Sequence, residues 1–249
     1  MRELTGLYAL WLREFKVFQR ERSRLASALF TPLLWLFIFG TGVGAKVSIA
    51  GMDYRTFIFP GVLSMAVLFT SLFFGVYIVW DRKIDFLKAV MVAPLSRTTI
   101  FLGKVLGGMT DSLLESVVVL AFGLLIGISY SLSSLAAAYL FIVLLAVGMV
   151  SLGLIIGSFM ESLEGFGMVV SFVAFPMFFL SGALFQVEDL PAWLSFLVLL
   201  DPVTYAVDGL RGTLLGVQRF PLALDLIVLV LFSASVVAAG TQAFKRMKV

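Results

Sequence analysis

The chain has no cysteine and no histidine, and only 13% of its 249 residues are charged. Without cysteine it forms neither a disulfide nor a thiolate metal site, and without histidine it lacks the commonest metal ligand and neutral-pH acid–base group. The scarcity of charge excludes an ordinary soluble domain, which needs far more charged residues to cover its surface. Hydrophobic residues make up 61% of the sequence, and the mean hydropathy is +1.10. The composition therefore indicates an integral membrane protein.

The apolar residues gather in six long runs between a few charged islands. A helix needs roughly 20 apolar residues to cross a bilayer, and each run is about that long. None of the runs alternates polar and apolar residues with a period of two, as the strands of a membrane barrel must. The predicted spans are 25–45, 57–80, 105–128, 135–160, 166–187 and 222–244. We therefore expect an all-α membrane protein with one transmembrane domain over 1–249.

Basic residues indicate the orientation of these spans. Most of the 18 lysines and arginines lie before the first span, in the loop after the second span and at the C-terminus. The opposite side holds only Lys46, Arg55, Arg211 and Arg219. Because cytoplasmic loops are enriched in lysine and arginine, both termini are predicted to be cytoplasmic, in a plasma membrane. The net charge of +3 is then a topology signal and gives no reason to expect nucleic acid as a partner.

The segment 1–24 is amphipathic. Its apolar residues recur at steps of three and four: Leu4, Leu7, Tyr8, Trp11, Phe15 and Phe18. Its basic residues point elsewhere, which is typical of a helix that lies in the membrane interface with aromatic rings at headgroup depth. Such a helix either serves as a simple anchor or also braces a cytoplasmic partner.

The segment 81–100 is the only substantial loop predicted on the cytoplasmic side. A single helix is expected there, with Asp81, Asp85 and Lys88 on one face. Pro94 would end it, because the residue before proline disfavours helical angles, and Ser96 would cap the next helix. The loop is either a docking element for another protein or a solvated segment that lies on the membrane.

The segment 188–220 is external and too apolar for an ordinary loop. A first short helix would begin near Pro191 with Asp189 as its cap, and Pro202 would prevent its continuation. A second helix would end at Gly216. Two interpretations stay open: a re-entrant hairpin, whose backbone must be covered by protein or line a cavity, or a helix pair that lies flat on the leaflet.

The sequence resembles the permease subunit of ABC-2 type exporters, over essentially its whole length. The similarity is carried by Pro202-Val203-Thr204-Tyr205 followed by Arg211, in the place of the family's C-terminal signature. Further matches are Pro60-Gly61, Asp81-Arg82-Lys83, Phe86-Leu87, Ala93-Pro94-Leu95-Ser96-Arg97, Gly103-Lys104, Pro176-Met177 and Leu180-Ser181-Gly182. One departure is the aspartate at position 81, where many relatives carry glutamate.

The resemblance implies a half-transporter: two copies, as a homodimer in membrane lipid, would form the pathway, and two separate ABC ATPase subunits would drive it. ATP and Mg²⁺ would bind to the partner and no cofactor to this chain, whose Gly103-Lys104 lacks the glycine spacing of a phosphate-binding loop. The cargo would be a drug, a lipid or a glycoconjugate.

The resemblance also implies roles for single residues. It assigns ATPase coupling to the segment 81–100, called the coupling loop from here on, through Asp81, Arg82, Lys83, Asp85, Phe86, Leu87, Lys88, Pro94 and Arg97. It assigns the connecting helix to 1–24, through Trp11, Arg13 and Phe15, and an external gate to 188–220, through Pro202, Tyr205 and Arg211.

Four residues inside the spans are further candidates for the pathway. Asp111 and Glu115 share a face of the third span, and charges at that depth usually face protein or water. They either pair with bases of the N-terminal helix or line an inward-facing vestibule or proton site. Phe175 and Phe179 either line an aromatic route for cargo or pack as ordinary membrane residues.

Gly153 and Gly157 form a small-residue pair that permits close helix approach, which we expect to serve packing within the subunit.

Two other functions of the whole protein stay as alternatives. A stand-alone secondary transporter would favour an inverted repeat with matching broken helices, and a membrane-embedded enzyme would need convergent acid, base or metal groups.

Overall fold

The computed structural model describes residues 2–42, 48–49, 51–188 and 190–247, without the side chains of residues 22–29 and 48. The predicted cap Asp189 lies outside these ranges. The helices are α1 (Arg2–Arg20), α2 (Arg22–Gly42), α3 (Tyr54–Phe73), α4 (Val76–Lys83), α5 (Phe86–Val92), α6 (Arg97–Leu125), α7 (Leu132–Phe159), α8 (Leu163–Leu180), α9 (Ala192–Leu200), α10 (Pro202–Leu215) and α11 (Leu222–Arg246). Two short strands, β1 (Ser48–Ile49) and β2 (Met52–Asp53), pair antiparallel. The chain is an all-α membrane protein apart from this hairpin.

Polar caps begin several of these helices. The hydroxyl of Ser96 accepts a hydrogen bond from the backbone N–H of Thr99 at the start of α6, as predicted. Serine side chains begin α7 and α8 in the same way, and Asp201 begins α10. Gly216 ends α10 with a positive φ of 73°, a conformation that glycine adopts without strain. The caps thus fix the start or end of each of these helices.

Five helical segments in the described part of the chain are long and apolar enough to cross a membrane: Tyr54–Lys83, Arg97–Leu125, Leu132–Phe159, Leu163–Leu180 and Leu222–Arg246. A sixth is reached if α9 and α10, which meet at a bend of 82°, count as one span. The helix α2, in the place of the first predicted span, is 21 residues long, and its described apolar part is Phe30–Gly42.

Glycine brings α7 into backbone contact with the second span, which is broken between α3 and α4. A side-chain carbon added to Gly75, at the break, would lie 2.0 Å from the carbonyl oxygen of Gly153. One added to Gly153 would lie 2.1 Å from the carbonyl oxygen of Leu72, and one added to Gly157 would lie 2.4 Å from that of Gly75. The pair Gly153 and Gly157 therefore packs within the subunit, as expected.

The coupling loop differs from the single helix that the sequence predicts. The helix α4 ends at Lys83, and Asp85 then adopts a left-handed conformation with φ of 57° before α5 begins. Asp81 therefore lies on a different helix from Lys88, and the prediction of one shared face is wrong. The reason is local: the left-handed residue turns the chain between two short helices, so the helical periodicity does not continue through it.

Candidate functional site

The coupling loop has an outer and an inner side. Leu87 is fully buried among residues of α1, α6 and α11, and Asp81 is buried as well. The outward side, here called the outer loop face, is defined by the exposed residues Lys83, Ile84, Asp85, Lys88 and Val92, beside which Ala89, Pro94 and Ser96 are also exposed. Val92 is 86% exposed, and Lys88 pairs with Asp85 at 2.7 Å in solvent. The outer loop face thus presents two exposed apolar residues, Ile84 and Val92, beside charged ones.

Four charged side chains behind the loop form what we call the ion network, which consists of Arg13, Glu14, Asp81 and Lys104. The Nζ atom of Lys104 lies 2.9 Å from Glu14 Oε1 and 2.5 Å from Asp81 Oδ2. Arg13 donates to Asp81 at 2.6 Å and to Glu14 at 2.7 Å. Two cations thus face two carboxylates, three of the four side chains are buried, and the network joins α1, α4 and α6.

The cations hold Glu14 in its charged form. Burial alone would raise the pKa of this carboxyl, but Lys104 and Arg13 outweigh burial and bring the pKa below its ordinary value. The pKa of Arg13 is raised, because the attraction of Glu14 and Asp81 outweighs its own partial burial. The network is therefore electrostatically matched near neutral pH.

Acid is expected to weaken this network. A carboxyl with a lowered folded-state pKa contributes stability above its unfolded pKa, about 4.3, and loses it as the pH falls through the folded value. The thermal midpoint of the wild type should therefore fall as the pH decreases from about 5 to about 3, and a Glu14→Gln variant should show a flatter slope over the same range. Exposed Glu164 provides the control, since Glu164→Gln should keep the wild-type slope. Equal slopes for all three proteins would contradict this role of Glu14.

Two arginines of the coupling loop bind the ends of distant helices. Arg82 donates to the carbonyl oxygens of Ser158 and Met160, each at 2.9 Å, at the C-terminal end of α7. Arg97 donates to the carbonyl oxygens of Phe244, at 3.2 Å, and Met247, at the end of α11. A cation at a helix C-terminus satisfies carbonyl groups that lack a helical partner and complements the helix dipole. The loop is thereby joined to α7 and α11.

The helix α1 packs along the first half of α6, and both run in the same direction. Glu3 accepts hydrogen bonds from the backbone N–H of Ser96 at 3.1 Å and from the hydroxyl of Thr99. Further along, the indole of Trp11 donates to the hydroxyl of Thr110 at 3.0 Å. Phe15 stacks on Trp11 with the ring centres 5.7 Å apart.

Arg13 also stacks over the ring of Phe86, with its guanidinium carbon 4.1 Å from the ring centre. The connecting-helix residues Trp11 and Arg13 thus contact α6 and the coupling loop directly.

Asp111 and Glu115 lie buried in α6. Glu115 accepts a hydrogen bond from the hydroxyl of Thr70 on α3. Pairing with the N-terminal helix is not made through Arg13, which is bound to Asp81 and Glu14. The side chains of Arg22 and Arg24 lie outside the described part of the chain, so a pairing through them stays a prediction.

Phe175 and Phe179 lie on α8 with nearly half of each side chain exposed, 45% and 47%. Phe175 packs edge-on against Phe69 of α3 at 5.2 Å between ring centres. A cavity of about 510 Å³ lies between α2, α3 and α8. Its lining includes four aromatic residues, Trp35, Phe69, Phe73 and Phe175, and one acidic residue, Glu115.

The predicted gate residues connect α10 to its neighbours. Pro202 is the first residue of α10, and Tyr205 donates to the carbonyl oxygen of Leu199 in α9 at 2.9 Å. Arg211 is 6% exposed and donates to the carbonyl oxygen of Gly182 at 2.9 Å. Its guanidinium also stacks on Phe57, 4.1 Å from the ring centre. These contacts tie the bent helix pair to α3 and to the turn after α8.

Comparison with known proteins finds a matching family and several relatives of this chain. The family model described as ABC-2 type transporter matches residues 5–215. The inner membrane transport permease YadH of Escherichia coli strain K12 is 30% identical over 235 residues, which cover 91% of this chain and 90% of YadH. Nodulation protein J of Rhizobium leguminosarum bv. viciae is 24% identical over 212 residues, covering 84% of this chain and 82% of the relative.

The chain belongs to the ABC-2 type transporter family. It is a multi-pass membrane protein and the permease component of an ABC transporter, in a family that generally works with an ABC ATPase partner. Within the described ranges of this ABC-2 permease, no group of three or more acidic residues is placed to hold a metal ion.

The structure places the residues assigned to ATPase coupling on both sides of the coupling loop. Arg82, Leu87 and Arg97 point into the permease, and Asp81 belongs to the ion network. Pro94 is exposed beyond the end of α5. Among the nine residues assigned to ATPase coupling, Lys83, Asp85 and Lys88 belong to the outer loop face.

Sequence reasoning missed three residues of the permease. Glu14 lies between Leu10 and Phe18 on the buried side of α1, and an acid on an apolar stripe is a signal for a buried partner. Lys104 is that partner. Asp208 of α10 accepts the backbone N–H groups of Arg219 and Phe220 at 2.8 to 3.0 Å and closes the turn before α11. No pattern in the sequence indicates this last role.

Proposed function

We propose that the chain is the membrane-spanning subunit of an ATP-driven exporter, which works as a homodimer with two separate ABC ATPase subunits. The observation that carries this proposal is the outer loop face, an exposed apolar and charged surface on a permease of the ABC-2 family. ATP and Mg²⁺ would bind to the ATPase, and this chain would hold no cofactor.

The outer loop face would dock on the ATPase. Val92 and Ile84 offer apolar area, and Lys83 and Lys88 flank it with positive charge. This side of the permease would be cytoplasmic, with both termini on it, in a plasma membrane. The start of α1 and Met247 support a common side, since both contact the coupling loop region.

Contacts behind the loop would carry its movement into the membrane. The ion network joins the loop to α1 and α6, and the arginine bonds join it to α7 and α11. Binding of ATP at the partner would then shift the permease between inward- and outward-facing states, through a different affinity for the two states. Alternating access of this kind needs no ATPase site on the permease.

The cargo would be a drug, a lipid or a glycoconjugate. The aromatic cavity beside Phe175 suits an amphipathic molecule, because it combines apolar walls with a few polar groups. The bent pair α9 and α10 would form a re-entrant external gate, which Tyr205 and Arg211 hold in place.

Co-expression with an ABC ATPase from the same source tests the docking surface. A Lys83→Glu/Val92→Glu variant should lose at least ten-fold of the co-purified ATPase and its stimulated ATP hydrolysis in lipid, because it reverses a charge and places another in the apolar contact. Leu132→Glu controls for the acidic substitution of an exposed apolar residue, as Leu132 is 84% exposed and lies outside the coupling loop.

Comparison of the loop variant with Leu132→Glu distinguishes the possible results. Loss in the loop variant alone supports docking at the outer loop face. Full association in the loop variant would overturn that surface, and the absence of a complex with wild-type permease would favour a stand-alone carrier.

A further inference from the structure

The helix α1 has three distinct faces. Leu10, Glu14 and Phe18 are buried against the permease. An apolar edge follows, in which Leu4 and Tyr8 are 71% and 58% exposed. The third face is basic and contains Lys16 and Arg20, both exposed and spaced by one helical turn.

The aromatic residues of the apolar edge form a continuous row. The rings of Tyr8, Trp11 and Phe15 follow one another with centres 5.7 Å apart. Tyrosine and tryptophan prefer the headgroup region of a membrane, where one side of the ring is apolar and the other is hydrated. This edge therefore indicates that α1 lies against the lipid.

A groove of about 430 Å³ follows the basic face. Its lining consists of Ala9, Leu12, Arg13, Lys16, Val17 and Arg20. It combines three cations with aliphatic side chains and includes no carboxylate among its lining residues. Arg13 is committed to the ion network, but Lys16 and Arg20 make no ion pair or hydrogen bond with any residue that the structure describes.

The position of the groove along α1 bears on whether a membrane lipid or the proposed ATPase occupies it. Only Glu21 separates α1 from α2, the helix in the place of the first span, so Arg20 lies near the point where the chain enters the membrane. The coupling loop contacts α1 from Glu3, which accepts from Ser96, to Arg13, which binds Asp81. Lys16 and Arg20 lie beyond these contacts, toward the end of α1 that leads into the membrane.

We propose that the groove on α1 binds the phosphate headgroup of an anionic phospholipid through Lys16 and Arg20. The guanidinium of Arg20 presents parallel N–H donors that match two phosphate oxygens, and Lys16 adds a second charge. The aliphatic side chains of Leu12 and Val17 face the glycerol and the upper acyl chain. The site requires only that the chain is a membrane protein, so it does not depend on the proposed ATPase or cargo.

The test is native mass spectrometry of the detergent-purified permease, incubated with equal amounts of phosphatidylglycerol and phosphatidylcholine. The wild type should retain phosphatidylglycerol in preference. A Lys16→Gln/Arg20→Gln variant should lose about ten-fold or more of the bound phosphatidylglycerol, since each basic residue near a membrane surface contributes several-fold. Its retention of phosphatidylcholine and its thermal midpoint should not change.

A second variant removes the same number of charges from the outer loop face, Lys83→Gln/Lys88→Gln, and should retain phosphatidylglycerol as the wild type does. An equal loss in both variants would show a general charge effect and overturn the site. Full retention in the α1 variant would overturn it as well. Undiminished lipid binding together with lost ATPase association would assign the basic face to the protein partner instead.

Discussion

Replacement of Lys104 by methionine should destabilise the permease by about 3 to 5 kcal/mol, the range for the loss of one partner from a buried ion pair. The Nζ atom of Lys104 is the only cation within 3 Å of both Glu14 and Asp81 that is itself fully buried in the described structure, at 2.9 and 2.5 Å. Without it, two buried carboxylates face the single charge of Arg13. We expect a fall in the thermal midpoint on the order of 10 °C.

The exposed pair Lys88–Asp85 provides the matched control. Lys88→Met removes the same chemical group from a pair of 2.7 Å on the same loop, but the side chains are 59% and 70% exposed. Such surface pairs contribute about 0 to 1 kcal/mol, so the midpoint should change little. A second change, Asp81→Asn in the Lys104→Met background, should recover part of the loss because it removes an uncompensated charge. Equal midpoints for Lys104→Met and Lys88→Met would contradict the ion network as a source of stability.

The second large effect is expected from Gly153→Ala. A side-chain carbon at this position lies 2.1 Å from the carbonyl oxygen of Leu72, which belongs to the backbone and cannot rotate away. The helices α7 and α3 must therefore separate. Overpacking of this kind costs roughly 1 to 3 kcal/mol or more, and it also disturbs the contacts of Gly75 and Gly157 nearby. We expect a lower yield of monodisperse protein and a lower midpoint.

Gly167→Ala on α8 tests whether the effect is steric. A side-chain carbon there meets no atom within 4 Å. Because alanine favours a helix by about 1 kcal/mol over glycine, this variant should keep or slightly raise the midpoint. A midpoint of Gly153→Ala that equals the wild type would show that α7 and α3 are less tightly packed than the backbone distances indicate.

Most of the long apolar helices were predictable from the sequence. Runs of apolar residues set the lengths of the spans, and Ser96, Pro202 and Gly216 mark boundaries through chemistry that acts within a few residues. The break inside the second span was not predicted. Gly75, at this break, lies against Gly153 of another helix, a contact between residues far apart in the chain.

The position of the site in the sequence was predictable, but the direction of its individual side chains was not. The sequence indicates a charged loop at 81–100, but a charge pattern does not distinguish an outward lysine from an inward arginine. Lys83 is exposed, whereas neighbouring Arg82 binds the end of α7. The difference arises because Arg82 lies beside carbonyl groups that need a donor, and their position depends on how α7 packs. Asp85 adds a turn that periodicity does not reveal.

The two arginine bonds also limit the number of independent motions. Arg82 joins the coupling loop to the end of α7, and Arg97 joins it to the end of α11. We therefore expect these two helix ends to move together with the loop as one rigid body. The helix α8 is outside this body and buries only 22% of its most apolar stretch within the chain. One spin-label distance, between the coupling loop and α8, would then report whether the two move relative to each other at this end of the molecule.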